Sequence, residues 1–172
     1  MNASLNTLPP KLKNVSSGFT LIELMVTIAV LAIIVSIAAP SISTQLANQR
    51  VKSTTSIIES ALKEAKAESI IKRQNTSVIY NNTANPRTIT VQNSSGTLLT
   101  YNINDRNTVT ITTMGSIPVA ITTVTFQPNK VIASDESIMY TICDTGSSNI
   151  IPRQVSVNKI ANISTTNSGS CS

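Results

Sequence analysis

The sequence predicts an α+β protein in which a long N-terminal helix packs on antiparallel β-sheets. Three features predict it. An apolar run opens the helix, an amphipathic pattern continues it, and short β-branched runs fill the chain from Asn75 onward. A length of 172 residues fits one domain with an appendage.

The composition excludes most enzyme classes. The chain contains no histidine, so it offers no Ser-His-Asp triad, no HExxH zinc site and no imidazole acid or base. Its two cysteines form no CxxC pair, and its five glycines are too far apart for a GxGxxG motif or a P-loop. We therefore expect no enzymatic activity, no metal and no other cofactor.

The first element is an apolar run from Phe19 to Ala39 that is long enough to cross a membrane. As a helix its 21 residues span about 31 Å, which matches the hydrocarbon core of a bilayer. Lys11 and Lys13 precede the run, and positive charge holds that flank in the cytoplasm. We expect a single-pass protein whose C-terminal domain lies across the membrane.

Two plainer interpretations of this run compete. One is a cleavable signal peptide with Ser36-Ile37-Ala38 as its cleavage site, although the run exceeds the roughly 7–15 apolar residues of such segments. The other is an uncleaved signal anchor, which predicts the spanning helix. Neither interpretation gives a reason for Glu23 inside the run.

The stretch Gly18-Phe19-Thr20-Leu21-Ile22-Glu23 resembles the processing motif of type IV prepilins and of the pseudopilins of type II secretion. The resemblance implies that residues 1–18 are a leader and that a prepilin peptidase cuts between Gly18 and Phe19. Phe19 then becomes the methylated N-terminus. The resemblance also implies that Glu23 serves filament assembly.

The Glu23 carboxylate needs a partner if the run lies in a bilayer. Its insertion at mid-bilayer costs roughly 2.5–3.5 kcal/mol. Cleavage before Phe19 creates a cationic amine at the same end of the helix. In a staggered filament Glu23 of one subunit can meet the amine of its neighbour, and by resemblance this contact is the assembly device. The alternative is a shallow carboxylate that reaches the lipid headgroups.

Residues 40–74 continue the helix with an amphipathic pattern. Apolar and small residues recur every three or four positions in one stripe: Leu46, Ala47, Val51, Thr54, Thr55, Ile58, Ala61, Leu62 and Ala65. We expect this stripe to pack on the following domain. Pro40 should bend the helix because it removes a backbone hydrogen bond, and it stands where many pilins place a helix-kinking proline.

Residues 75–172 are predicted to form the β domain. Nine short β-branched runs with turn signals between them indicate about eight strands. The runs are Ser77–Tyr80, Thr88–Val91, Thr97–Tyr101, Thr108–Thr112, Ile121–Phe126, Val131–Ala133, Ile138–Cys143, Gln154–Val157 and Ile160–Ile163.

Cys143 and Cys171 lie in the exported part of the chain, where oxidation is expected. A disulfide between them would close a loop of 29 residues and stabilise the fold by roughly 3.5 kcal/mol. It would also pin the polar tail at Ser164–Ser172. Two free buried thiols are the alternative.

The order of three further segments resembles the H-type minor pseudopilins and the FimT/FimU-type minor pilins. These segments are ANQRVKSTTSIIESALKEAKAESIIKRQ, TFQPNKVIA and the strand that ends in Ile142-Cys143-Asp144. Members carry a long helix on a β domain of two sheets and are scarce subunits near the filament tip. The chain departs from them at Lys130, where glycine is common, and at Asn158-Lys159, where a Gly-Arg turn is frequent.

The resulting hypothesis is a minor type IV pilin that helps prime pilus assembly and sits at or near the pilus tip. It would be held in the bacterial inner membrane, with its C-terminal domain in the periplasm, before it enters the pilus. Expected partners are other minor pilins, the major pilin, a prepilin peptidase and the inner-membrane assembly platform.

An H-type pseudopilin of type II secretion and a DNA-uptake pilin are the alternative functions. Scattered basic residues, few aromatics and the missing Gly-Arg motif argue against nucleic-acid binding.

Overall fold

The computed structural model describes residues 18–115, 119–146, 150–167 and 171, and of residues 38–41 the backbone alone. The chain divides into two compact units, Met1–Ala39 and Pro40–Ser172. Residues 1–17 of the predicted leader lie outside the described residues. Helix α1 runs from Leu21 to Lys72 and contributes to both units.

The first unit exposes its apolar surface. From Phe19 to Ile37, every large apolar side chain is at least 49% exposed. In the described part of the chain no single helix is long and apolar enough to cross a membrane. The segments Leu21–Ile37 and Ile42–Lys72 meet that requirement as a pair, by length and composition.

The second unit contains two four-stranded antiparallel sheets. The described strands are β1 (Thr76–Asn81), β2 (Thr88–Asn93), β3 (Gly96–Asn102), β4 (Asn107–Thr113), β5 (Thr123–Phe126), β6 (Ile138–Asp144), β7 (Arg153–Val157) and β8 (Ile163–Asn167). Their orders are β3-β2-β1-β5 and β4-β6-β7-β8. The α+β class and the two-sheet arrangement are therefore confirmed.

The helix stripe is buried as the amphipathic pattern predicts, with one exception. The buried helix residues are Ala47, Val51, Thr54, Thr55, Ile58, Ala61, Leu62, Ala65 and Ser69. Leu46 is 55% exposed, so its assignment to the stripe was wrong. Neighbouring residues of a helix point about 100° apart, and Ala47 is the one that faces the core.

Both sheets contribute alternate side chains to the core. In β6, Ile138, Tyr140 and Ile142 are buried because alternate residues of a strand point to the same face. The buried apolar residues that the structure describes lie between Ala47 and Ala161. Residues 40–172 thus hold a complete core of their own and have what an independently folding domain needs.

Two of the predicted strands are not strands. At Val131–Ala133 the chain forms only one isolated bridge, between Phe126 and Ile132, after a tight turn. At Ile160–Ile163 most of the segment is the turn between β7 and β8, closed by the Asn158 N–H donating to the Asn162 carbonyl at 3.1 Å.

Strand β8 instead begins at Ile163 and covers the first residues of the segment that was assigned to the polar tail. Its polar side chains face solvent on an edge strand, and the backbone of β7 supplies the pairing. Hydrophobic patterning could not reveal it because pairing by backbone groups needs no apolar side chain.

Cys143 and Cys171 form the predicted disulfide, with Cα atoms 5.9 Å apart. The bond ties the end of β6 to the C-terminal tail. The alternative of two free buried thiols is thereby excluded.

Candidate processing and assembly site

The helix start is built by Thr20. Gly18, Phe19 and Thr20 are not helical, and α1 begins at Leu21. The Glu23 N–H donates to the Thr20 hydroxyl at 3.2 Å, which makes Thr20 the N-cap of the helix. The sequence analysis missed this role, although Thr-x-x-Glu before an apolar run is the pattern of a capping box.

The predicted cleavage site lies outside the helix and is open. A Cβ added to Gly18 would find no heavy atom within 4 Å, and Phe19 is 81% exposed. The fold therefore places no constraint on the residue at position 18. A requirement for glycine there would come from an enzyme that reads the site and not from packing.

The polar side chains within the apolar segment fall into two classes. The hydroxyls have partners inside the helix: Thr27 donates to the Leu24 carbonyl and Ser36 to the Ile33 carbonyl, both at 2.8 Å. Among the described residues, the Glu23 carboxylate has neither a hydrogen bond nor an ion pair. Of the polar groups on this apolar surface, it is the one that needs a partner from another molecule.

The charge at the helix N-terminus determines which kind of group the Glu23 carboxylate can pair with and on which helix that group lies. Unpaired N–H groups give a helix N-terminus a partial positive charge, which favours the carboxylate of Glu23 and disfavours a cation. A new ammonium group on Phe19 would meet that unfavourable field from its own helix. It would gain by contact with a carboxylate on a different helix.

The structure does not test the predicted role of Pro40 in bending the helix. The helix backbone runs through it, but the side chains of residues 38–41 lie outside those that the structure describes. The bend at Pro40 therefore stays a prediction from the sequence.

A second polar cluster, which the sequence analysis missed, joins the helix to the second sheet. Arg50 Nε lies 2.8 Å from Asp144 Oδ2, and Arg50 Nη2 lies 3.3 Å from Oδ1. The Gly146 N–H donates to the same Oδ1 at 2.9 Å. The Asp144 side chain is fully buried and that of Arg50 is 22% exposed. We call Arg50, Asp144, Asn107 and Thr54 the helix–sheet joint.

The joint shifts the titration of Asp144 and is completed by Asn107. The Arg50 hydrogen bond, with help from the Gly146 N–H, lowers the pKa of Asp144 against the opposing effect of burial. The Asn107 amide donates to the Arg50 carbonyl at 2.9 Å and to the Thr54 hydroxyl at 2.7 Å. No local pattern could predict contacts between residues 94 positions apart.

The N-terminal segment has a recognised family signature. Residues 13–39 match the family described as "Prokaryotic N-terminal methylation motif". The match includes Gly18, Phe19 and Glu23 and extends to the end of the apolar run.

The folded domain resembles two solved structures of one protein. Both are crystal structures of the type IV minor pilin FimU from Pseudomonas aeruginosa, each with a TM-score of 0.53. The chain has the fold of a type IV minor pilin. The alignments cover 67% of this chain and 91% and 87% of the FimU chains, at 17% and 16% identity. No curated protein matches the sequence significantly.

The methylation motif and the compact unit with the two sheets follow each other along the chain. The motif ends at residue 39, and the compact unit with the two sheets begins at residue 40. The chain thus joins an N-terminal methylation motif, an exposed apolar helix and a pilin-like β domain.

Proposed function

We propose that the protein is a minor type IV pilin, a structural subunit that helps prime pilus assembly at or near the pilus tip. Its apolar helix anchors it in the inner membrane, with residues 40–172 in the periplasm. A prepilin peptidase then cuts between Gly18 and Phe19. The observation that carries this proposal is Glu23, which lies within the methylation motif on an exposed apolar helix and whose carboxylate has no partner among the described residues.

Glu23 acts as the assembly device by matching two charges that are unfavourable apart. A lone carboxylate at mid-bilayer costs roughly 2.5–3.5 kcal/mol, and the Phe19 ammonium is disfavoured by its own helix end. When subunits stagger, Glu23 of one meets the amine of the next and both charges are neutralised. Because the contact forms at one offset only, it sets the axial register of the subunits.

The remaining parts of the chain are proposed to select partners. The apolar helix packs among other pilin helices, and the β domain offers its surface to other minor pilins and to the major pilin. The inner-membrane assembly platform handles the subunit before incorporation. No cofactor has a part in this function.

The mature N-terminus tests the processing step. Mass spectrometry of the membrane protein should find N-methyl-Phe19 as the first residue. Gly18→Ala and Gly18→Leu should leave a full-length protein, while the disulfide still forms because nothing packs on residue 18. A mature chain that starts at Ala39, or an intact Met1 in the wild type, would refute the proposal.

Incorporation into pili tests the role of Glu23. Glu23→Val should be cleaved and inserted, yet be absent from sheared pili. Glu64→Val is a matched control because Glu64 lies on the same helix and is an exposed carboxylate without a partner among the described residues. Normal incorporation of Glu23→Val would show that the carboxylate only reaches the headgroups, and the assembly role would be wrong.

The same architecture would serve an H-type pseudopilin of type II secretion or a DNA-uptake pilin. A deletion strain distinguishes these functions. Loss of pili with intact protein secretion and intact DNA uptake agrees with the proposal. Loss of secretion with normal pili would assign the chain to the secretion system instead.

A further inference from the structure

The positive charge of the second unit is concentrated at one end. Arg50 of α1, Arg87 before β2 and Arg106 before β4 meet there around the loop 104–107. Lys52 lies two residues after Arg50, and Arg153 pairs with Ile142 near the end of β6. We call these five residues the arginine end.

The backbone holds two of these arginines in place without neutralising them. Arg87 Nη1 donates to the carbonyls of Asp105 at 3.0 Å and Asn107 at 3.1 Å. The backbone carbonyl of Arg106 accepts two hydrogen bonds from Thr145, one from its N–H at 2.7 Å and one from its hydroxyl at 3.0 Å. Among the described residues, neither guanidinium makes a hydrogen bond or a close ion pair with a carboxylate, although the charge of Arg106 helps to lower the pKa of Asp144. The side chain of Arg106 is exposed.

An open polar pocket adjoins Arg87. Its volume is about 320 Å³, and it is lined by Arg87, Asp105, Asn82, Asn85 and Ala84. Among the described residues, the Arg87 guanidinium uses only Nη1 for hydrogen bonds, so its other N–H groups can donate to the oxygens of a phosphate group. The side-chain amides of Asn82 and Asn85 offer further donors beside it.

A charge count separates this end from the rest of the domain. Residues 40–172 carry eleven cations and seven carboxylates, a net charge of +4. Five of the cations and two of the carboxylates, Asp105 and Asp144, lie at the arginine end, a net charge of +3. One of those carboxylates, Asp144, is already paired with Arg50.

Chain length limits how far Arg50 can lie from the end of the apolar segment. Arg50 follows Ala39 by eleven residues, so even a fully extended chain could separate them by only roughly 40 Å. If the apolar segment lies in a bilayer, the headgroups are the polyanion held at high effective concentration beside the arginine end.

We propose that the arginine end docks on anionic phospholipid headgroups of the membrane that holds the apolar helix. This inference rests on the proposed membrane anchoring. Guanidinium groups pair with headgroup phosphates, and the contact keeps the domain against the membrane until assembly removes the subunit. A nucleic acid is the less suitable polyanion because base stacking needs an exposed aromatic side chain. Tyr101, the aromatic residue nearest to the loop 104–107 along the chain, is partly buried against the core.

Vesicle flotation with purified residues 40–172 tests the proposal, since this unit contains the complete core and the disulfide. We expect binding to phosphatidylglycerol/phosphatidylcholine vesicles, no binding to pure phosphatidylcholine, and loss of binding at high salt. Each surface cation contributes about fivefold in affinity, so R87Q/R106Q should weaken binding roughly 25-fold.

Two further variants control for folding and for general charge. R106Q alone removes an exposed side chain that makes no hydrogen bond among the described residues, so it should keep the fold and weaken binding about fivefold. K130Q/K159Q removes two exposed cations from turns elsewhere in the domain, neither of which has an ion-pair partner among the described residues. It should change affinity less than about twofold.

Several results would overturn the proposal. The first two are equal binding to both vesicle types and a loss of affinity in K130Q/K159Q as large as that in R87Q/R106Q. The third is tighter binding to duplex DNA than to vesicles. The fourth is displacement from vesicles by millimolar inorganic phosphate, which would indicate a site for free phosphate. Because residues 40–172 lack Gly18 and Glu23, failure here leaves the proposed pilin function to its own tests.

Discussion

Asp144→Asn should expose the contribution of the helix–sheet joint to stability. The carboxylate accepts three hydrogen bonds, two from Arg50 and one from Gly146, and its side chain is fully buried. Asparagine has nearly the same shape and keeps one oxygen for the Gly146 N–H. Its amide nitrogen, however, would face the Arg50 guanidinium, donor against donor.

The expected loss follows from the burial of the two partners. Removing one partner of a buried ion pair costs roughly 3–5 kcal/mol, because the other charge stays buried and unpaired. Arg50 retains 22% exposure, so water can solvate part of its charge. We therefore expect a loss of about 2–3 kcal/mol in the free energy of unfolding.

Urea denaturation of residues 40–172 measures this loss, with Asp105→Asn as the matched control. Asp105 is exposed and its carboxylate has no partner among the described residues, so its variant should stay within about 0.5 kcal/mol of the wild type. A loss below about 0.5 kcal/mol for Asp144→Asn would refute the reasoning, because the joint would then contribute no more than a surface pair.

The pH dependence gives an independent check. The joint lowers the pKa of Asp144 in the folded state, whereas an unfolded aspartate titrates at about 4. The stabilisation is therefore fully present at pH 7 and is lost as the pH falls below 4 through the folded pKa. The gap between the wild type and Asp144→Asn should narrow over that interval, and a constant gap would contradict the assigned cause.

Two other changes test local features of the fold. Lys130 has a left-handed backbone with φ of 65°, so Lys130→Gly should raise stability by about 0.5–1 kcal/mol in urea denaturation. Lys130→Ala keeps the Cβ and should gain nothing; an equal gain would argue against backbone strain. Replacing Cys143 and Cys171 by serine should lower stability by roughly 3.5 kcal/mol, as should reduction of the wild type, and a loss under about 1 kcal/mol would contradict the loop-closure argument.

Sequence patterns predicted most of the architecture because the signals are local. The helix stripe from Ala47 to Ala65 repeats with the helical period, and the inward residues of β6 alternate with the strand period. The errors occurred where local patterning carries little information. Ile160–Ile163 looked like a strand but mostly forms a turn, and the true strand β8 has polar side chains.

The residues of the candidate site likewise divide into those with a local sequence signal and those without one. Gly18, Phe19 and Glu23 could be found from sequence because their spacing along the chain is itself the motif. Thr20 could also have been found, since its capping pattern is visible in the same six residues. The helix–sheet joint could not be found from any local pattern.

The sequence by itself determined the processing motif, the apolar helix and the cysteine pair, because each depends on residue type and on distance along the chain. Only the tertiary structure decided that Arg50 meets Asp144 and that the cations gather at one end. It also decided that Lys130 occupies a left-handed turn, which gives a physical reason for the glycine common there in the families that the sequence resembles. Contacts between distant residues depend on which surfaces pack once both sheets have formed, and that choice is made by burial of the whole core.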